Sequence, residues 1–139
     1  MTRNNQPTRH TAQNEALRRV FEDSGRPLGP REALKLAQKK VPALGVATVY
    51  RAINRWVEET WLVPVLLPGE PARYEQAGKG HHHHFRCRRC GGVFEVEGCP
   101  GGLRKMVPRG FRLESHELVL AGLCALCARV RRCAGRGRS

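Results

Sequence analysis

The chain begins with eight polar residues, which we expect to form a mobile arm. Two stretches with helical periodicity follow. Apolar residues recur at spacings of three and four over residues 12–21, which predicts a first helix with Thr11 as its N-cap and Gly25 just past its end. Pro30 is tolerated in the first turn of a second helix. That helix must end before Pro42, because the residue preceding a proline avoids the helical conformation.

The third helical pattern is the strongest. Its apolar positions predict one packed face that is formed by Val46, Val49, Tyr50, Ile53, Trp56 and Val57. Other sides of this helix carry Thr48, Arg51 and Arg55, which can therefore reach a ligand.

Two short β-type runs follow, at residues 61–67 and 72–76, and a turn of the sequence Pro-Gly-Glu-Pro separates them. Three helices and a hairpin predict a winged helix-turn-helix domain over residues 1–76. The small residues at 77–80 are typical of a hinge, so we place the domain boundary there.

The remainder of the chain has mixed patterning. Residues 81–86, 93–97 and 111–120 are predicted to be strands, and a short helix is predicted within residues 101–108. We therefore expect a small α/β domain over residues 81–128, which makes the chain α+β. The arginine-rich residues 129–139 are expected to be a disordered tail.

The formal net charge of +13 attracts polyanions such as nucleic acid, although basic residues can also serve solubility alone. No apolar run approaches the roughly 18 residues that a membrane span needs. The first residues also lack the apolar segment of a secretion signal, so we expect a cytoplasmic protein.

Four of the six cysteines form two CxxC pairs, Cys87/Cys90 and Cys124/Cys127. This spacing lets one tight turn aim two thiolates at one ion, and two such turns complete a tetrahedral, closed zinc site with a structural role. A redox CxxC of the thioredoxin kind is the alternative, but it would not be needed twice. Cys99 and Cys133 remain unassigned, as passive thiols, supplementary ligands or oxidisable groups.

A run of four histidines, His81 to His84, precedes the first pair. Side chains alternate between the faces of a strand, so the run can supply two separate metal sites. Two imidazoles bind an ion weakly, and His116 and Glu75 are candidates for further donors. The alternatives are a polar hinge for the run and a solvent-facing strand position for His116.

These features together resemble the ferric uptake regulator family, whose members repress metal-acquisition genes when loaded with metal. The resemblance covers roughly residues 9–128. It is carried by Gly45-Val46-Ala47-Thr48-Val49-Tyr50-Arg51, by the His81–His84 run leading into Cys87-x-x-Cys90-Gly91, and by His116 followed eight residues later by Cys124-x-x-Cys127.

The resemblance implies a role for each matching position. Thr48, Tyr50 and Arg51 would contact DNA, and the four paired cysteines would hold structural zinc. Glu75, His82 and His84 would belong to a sensory site, and His81, His83 and His116 to an auxiliary site. The C-terminal domain would form a homodimer, which presents two recognition helices to a palindromic double-stranded DNA operator.

Two departures from the family leave ligands open. Arg26-Pro27 stands where the family supplies a sensory-site histidine, so the fourth sensory ligand is missing. The candidates to replace it are His10, the N-terminal arm, Cys99 and water. The auxiliary site usually takes a carboxylate where this chain has Gly101-Gly102, and Glu97 or Cys99 are the substitutes in reach.

We therefore expect a metal-dependent transcriptional repressor, not an enzyme. The nitrogen-rich ligands and the resemblance of residues 93–98 to the zinc-sensing branch favour zinc, and iron and manganese stay open. A peroxide sensor of the same family and a zinc-ribbon RNA-binding protein are the alternatives. A zinc hydrolase or deaminase would need an HExxH motif or the paired HxE and PCxxC motifs, which the sequence lacks.

Overall fold

The computed structural model describes residues 8–130, which form two compact units that divide between Lys79 and Gly80. Cys133, most of the predicted N-terminal arm and residues 131–139 of the predicted tail lie outside the described residues. No helix among the described residues is long and apolar enough to cross a membrane.

The first unit begins with three helices, α1 (Arg9–Ser24), α2 (Pro30–Ala37) and α3 (Val46–Glu58). The predicted cap of α1 is wrong by one turn: the helix starts at Arg9, and the Thr8 side chain accepts a hydrogen bond from the Thr11 backbone N–H. Both threonines suit a cap, and Thr8 takes the role because the apolar periodicity does not fix the first turn.

A hairpin follows, of strands β1 (Leu62–Val65) and β2 (Arg73–Gln76), which pair antiparallel with Val63 opposite Glu75. Two backbone hydrogen bonds of 2.8 and 2.9 Å join Tyr74 on β2 to Leu28 before α2. The hairpin is thereby fastened to the helices, and the predicted winged helix-turn-helix is confirmed.

One hydrophobic core holds this unit together. Its buried residues are Leu17, Phe21, Leu28, Ala33, Ala37, Leu44, Val49, Ala52, Ile53, Trp56 and Leu62. Phe21, Trp56 and Trp61 pack edge to face, with ring centroids 5.1–6.4 Å apart. Tyr50 is a correction, because it was placed on the packed face of α3 and is instead 45% exposed.

The second unit is a three-stranded sheet in the order β4-β3-β5, made of β3 (His83–Cys87), β4 (Val93–Val96) and β5 (Val119–Gly122). Strand β3 pairs antiparallel with β4 and parallel with β5. Two short helices accompany it, α4 (Leu103–Met106) and α5 (Ala125–Arg129). The α+β class is confirmed.

Two predictions for the second unit are wrong in detail. Residues 111–118 are irregular, and only residues 119–122 form a strand, because the ladder with β3 runs from His84 opposite Val119 to Cys87 opposite Gly122. Helix α5 was not predicted, and it includes Arg129, the first residue of the predicted tail.

Candidate metal centres and nucleic-acid interface

The four paired cysteines meet at one end of the three-stranded sheet. Cys87 ends β3, Cys90 lies in the turn before β4, and Cys124 and Cys127 flank the start of α5. All four sulfurs lie within 4.8 Å of one another, and the Cys90 and Cys124 sulfurs are 3.9 Å apart. Zn–S bonds of about 2.3 Å imply sulfur separations of roughly 3.8 Å in a tetrahedron. The donor set therefore fits a structural zinc ion.

The turn between the first two cysteines has the geometry of a metal knuckle. Gly91 has φ +73°, a left-handed conformation that glycine adopts without strain. A Cβ on Gly92 would come within 3.3 Å of the Cys90 sulfur. The Cys87 sulfur accepts a backbone hydrogen bond of 3.3 Å from Cys124, which ties the two pairs together.

The shifted pKa values of these thiols are also consistent with a cation-binding site. Backbone N–H groups of Cys90 and Cys124 lower the pKa of Cys87 to about 6. Desolvation and the other thiols raise the pKa of Cys127 to about 12. The Cys127 thiol therefore keeps its proton at neutral pH unless a cation compensates the charge of its thiolate.

A second group of donors lies at the opposite end of the same sheet. The rings of His81 and His83 are 4.6 Å apart between centroids, and His116 lies 4.8 and 5.1 Å from them. His83 is 2% exposed, and its Nε2 has no hydrogen-bond partner within residues 8–130. Desolvation, and after it the neighbouring histidines, lower the pKa of His83, which favours the neutral, metal-binding imidazole.

The other two histidines of the run pair separately, with the rings of His82 and His84 4.9 Å apart. His82 Nδ1 lies 2.7 Å from the Gly80 carbonyl oxygen. Because a carbonyl only accepts, Nδ1 donates this bond, and Nε2 carries the lone pair that a metal would use.

Glu75 belongs to the first unit. It is 4% exposed on β2, with Oε2 3.8 Å from Lys79 Nζ. In the stretch before α2, where the resemblance left a sensory ligand open, the Arg26 guanidinium lies 3.0 Å from the Glu32 carboxylate.

The exposed side of α3 is where the sequence placed ligand contacts. Tyr50, Arg51 and Arg55 are exposed and Thr48 is half-buried. Arg51 donates a 3.4 Å hydrogen bond to the Thr48 hydroxyl, and Arg55 lies 3.9 Å from Glu59. Asn54, also exposed, follows Tyr50 by four positions, and this helical spacing is the signal that could have added it to the candidate DNA-contacting residues.

Comparison with known proteins gives the chain its context. The sequence profile of the ferric uptake regulator family matches residues 5–121. The chain is 30% identical over 125 residues to the ferric uptake regulation protein of Campylobacter jejuni, covering 86% of this chain and 79% of that one. It is 31% identical over 124 residues to the Bacillus subtilis protein of the same name, covering 84% and 83%.

Solved structures of regulators in this family also resemble the fold of this chain. A zinc-bound manganese uptake regulator superposes with a TM-score of 0.73 at 27% identity, over 84% of this chain and 91% of that one. The Helicobacter pylori ferric uptake regulator, described as having three functional metal-binding sites, gives a TM-score of 0.61 at 25% identity, over 91% and 85%. Together with the two sets of metal donors on the sheet, these matches show that the chain belongs to the ferric uptake regulator family.

Proposed function

We propose that this protein is a zinc-responsive repressor that binds double-stranded DNA as a homodimer. The observation that carries the proposal is the position of the sensory donors along the chain. Glu75 lies on the last strand of the first unit, and His82 and His84 lie near the start of the second unit, which carries the four-cysteine site. A metal held by all three would span the short segment at residues 77–80.

The exposed face of α3 supports DNA binding. An aromatic face such as that of Tyr50 can pack on a thymine methyl group, and the guanidinium of Arg51 suits guanine or phosphate. The net charge of +13 supplies the long-range attraction to a duplex. Thr48 and Arg55 complete the proposed contact set.

The exposed apolar residues of the second unit support a homodimer. Val119 and Leu120 on strand β5 are 41% and 42% exposed, and Leu123 beyond it is 40% exposed. A two-fold dimer would present two copies of α3 about one DNA turn, or roughly 34 Å, apart, which requires a palindromic operator.

The proposed switch is a restriction of the segment at residues 77–80. Without the sensory metal, only a fraction of dimers would hold both copies of α3 at the spacing of one DNA turn. The apparent affinity for DNA would then be reduced to that fraction of its full value. Couplings of this kind commonly amount to about 5- to 150-fold in affinity.

Zinc is the favoured effector because the donors are mainly imidazole nitrogens. Manganese and ferrous iron lie below zinc in intrinsic affinity for such a site, and manganese prefers oxygen-rich sites. A structural relative named as a manganese regulator has been seen with zinc bound, so the family fold accepts this ion.

The test uses a duplex that the zinc-loaded protein selects from a randomised library. Fluorescence anisotropy with buffered zinc should show a loss of the metal dependence in Glu75→Ala and in His84→Ala. Glu117→Ala is the matched control, because it removes an exposed carboxylate of the second unit that is not among the candidate metal ligands. Unchanged zinc dependence in both sensory variants would refute the sensory assignment. Equal binding of single-stranded RNA would instead favour an RNA-binding protein.

A further inference from the structure

The second group of donors contains a residue that the family pattern does not supply. We propose that the Cys99 thiolate is the fourth ligand of a zinc site that it forms with His81, His83 and His116. The site would have three nitrogen donors and one sulfur donor. This inference concerns the chemistry of the second metal site, so it stands whether or not that site controls DNA binding.

The sheet topology brings the four residues together. His83 begins β3 and His81 lies two residues before it. Strand β4 runs antiparallel to β3 and finishes at the same end of the sheet, with Val96 opposite His83. Strand β5 runs parallel to β3 and begins there too, with Val119 opposite His84. Cys99 follows the end of β4 and His116 precedes the start of β5, so both arrive at this end of the sheet.

The loop after β4 places the thiol close to the imidazoles. Gly98 has φ +86°, a left-handed conformation that suits glycine, and it forms a bend directly before Cys99. The Cys99 sulfur then lies 2.9 Å from Nε2 of His116. Of the two substitutes that the sequence left open, Cys99 belongs to this group of donors and Glu97 does not.

The distances suit a tetrahedral ion. The four donor atoms lie within 4.8 Å of one another, and His81 Nε2 is 3.2 Å from His116 Nε2. Zn–N bonds of about 2.0 Å and Zn–S bonds of about 2.3 Å imply edges of roughly 3.3 Å between nitrogens and 3.6 Å from nitrogen to sulfur. The distance between the His81 and His116 nitrogens matches this geometry. The distance from the Cys99 sulfur to His116 Nε2 must increase by less than about 1 Å, which an exposed thiol can accommodate.

His83 provides the independent sign of a ligand. Its side chain is almost fully buried, and within residues 8–130 its Nε2 has no hydrogen-bond partner. A buried polar atom of this kind is costly unless something satisfies it. His81 and Cys99 are exposed at the same cluster, so an ion can enter from solvent.

The thiolate changes which metal the site prefers. A carboxylate at this position is compatible with iron and manganese, whereas a thiolate is a soft donor that selects zinc and cobalt over manganese. Three neutral imidazoles with one thiolate leave a site charge of +1 on a divalent ion, in a setting without a second anion among the donors.

Cobalt(II) titration of the full-length dimer tests the assignment, because sulfur ligands give cobalt an intense near-ultraviolet charge-transfer band that nitrogen and oxygen ligands do not give. The protein first receives zinc at the four-cysteine site, and cobalt is then added. The wild type and the Cys133→Ser control should show the band. Cys99→Ser should lose it while keeping the weaker visible bands of cobalt bound through histidine.

A competition with a zinc chelator gives the second readout. Cys99→Ser should weaken zinc binding at this site by at least the roughly 10- to 100-fold that losing an outer-shell partner costs. Its zinc content at the four-cysteine site and its circular dichroism should match the wild type, which establishes that it folds. A full-strength charge-transfer band in Cys99→Ser, or no band in the wild type, would overturn the proposal.

Discussion

Each of the two units of this chain is stabilised internally, and the source of that stability differs between them. The first unit buries a continuous cluster of aliphatic and aromatic side chains. In the second unit, the hydrophobic residues that are buried among those described are only Cys87 and Val93, and Cys87 is itself a candidate metal ligand. A sheet with so small an apolar core depends on metal for its stability, whereas the winged helix does not.

Removal of the structural zinc should have the largest effect, and only on the second unit. Apparent binding free energies of structural zinc in small domains are about 10–16 kcal/mol, which equals or exceeds the stability of a typical domain. Cys127→Ser, or chelation under mild denaturant, should collapse the dispersed NMR signals of residues 83–122 while the helical signals of the first unit persist. Cys133→Ser is the control. Native sheet signals in zinc-free protein would contradict this reliance on metal.

A core truncation in the first unit should give the converse result. Ile53 is 1% exposed, and Ile53→Ala should lower the free energy of unfolding of the winged helix by about 2–5 kcal/mol. Denaturant unfolding followed by tryptophan fluorescence reports on this unit, because both tryptophans, Trp56 and Trp61, lie in it. The loss should be the same with and without chelator. A loss that depends on zinc would show that the two units do not owe their stability to separate sources.

Loss of a DNA contact should leave stability alone and weaken binding moderately. Arg51→Ala should cost about 1–3 kcal/mol in binding of the selected duplex if the guanidinium reads a base, and it should relax specificity at that position. Arg109→Ala removes the same charge from an exposed site of the second unit. If the two variants weaken binding equally across sequences, the proposed reading face of α3 is wrong.

The smallest expected effect is on the surface of the first unit. The Arg18 guanidinium lies 4.3 Å from the centroid of the Trp61 ring. Arg18→Met keeps the aliphatic stem and should destabilise the winged helix by about 0.5–1 kcal/mol, mainly through loss of the exposed cation–π contact, because the 4.0 Å surface ion pair of Arg18 with Glu22 contributes little. Arg19→Met, on the same helix, is the control, and an equal change in both would assign the effect to helix propensity.

The same contrast explains how far the sequence could be interpreted. Helices α1 to α3 and the hairpin were predictable because their apolar residues repeat with the helical and strand periods. The four-cysteine site was predictable because two CxxC spacings are local signals. Both kinds of evidence lie within a few consecutive residues.

What the sequence could not predict depends on tertiary placement. The start of β5 is set by its register with β3, which alternation over residues 111–120 does not encode. The closeness of Cys99 to His116 depends on the direction of a loop and on three strand ends meeting at one end of the sheet. Tyr50 was misplaced because an aromatic residue at helical spacing fits either a core or a contact surface.

The most direct test of the account is a comparison of one protein in two metal states. Protein that retains zinc at the four-cysteine site is titrated onto the selected duplex with the sensory metal either buffered to saturation or removed. The account predicts roughly 5- to 150-fold tighter binding in the loaded state. Equal affinity in the two states, with the fold intact in both, would contradict it.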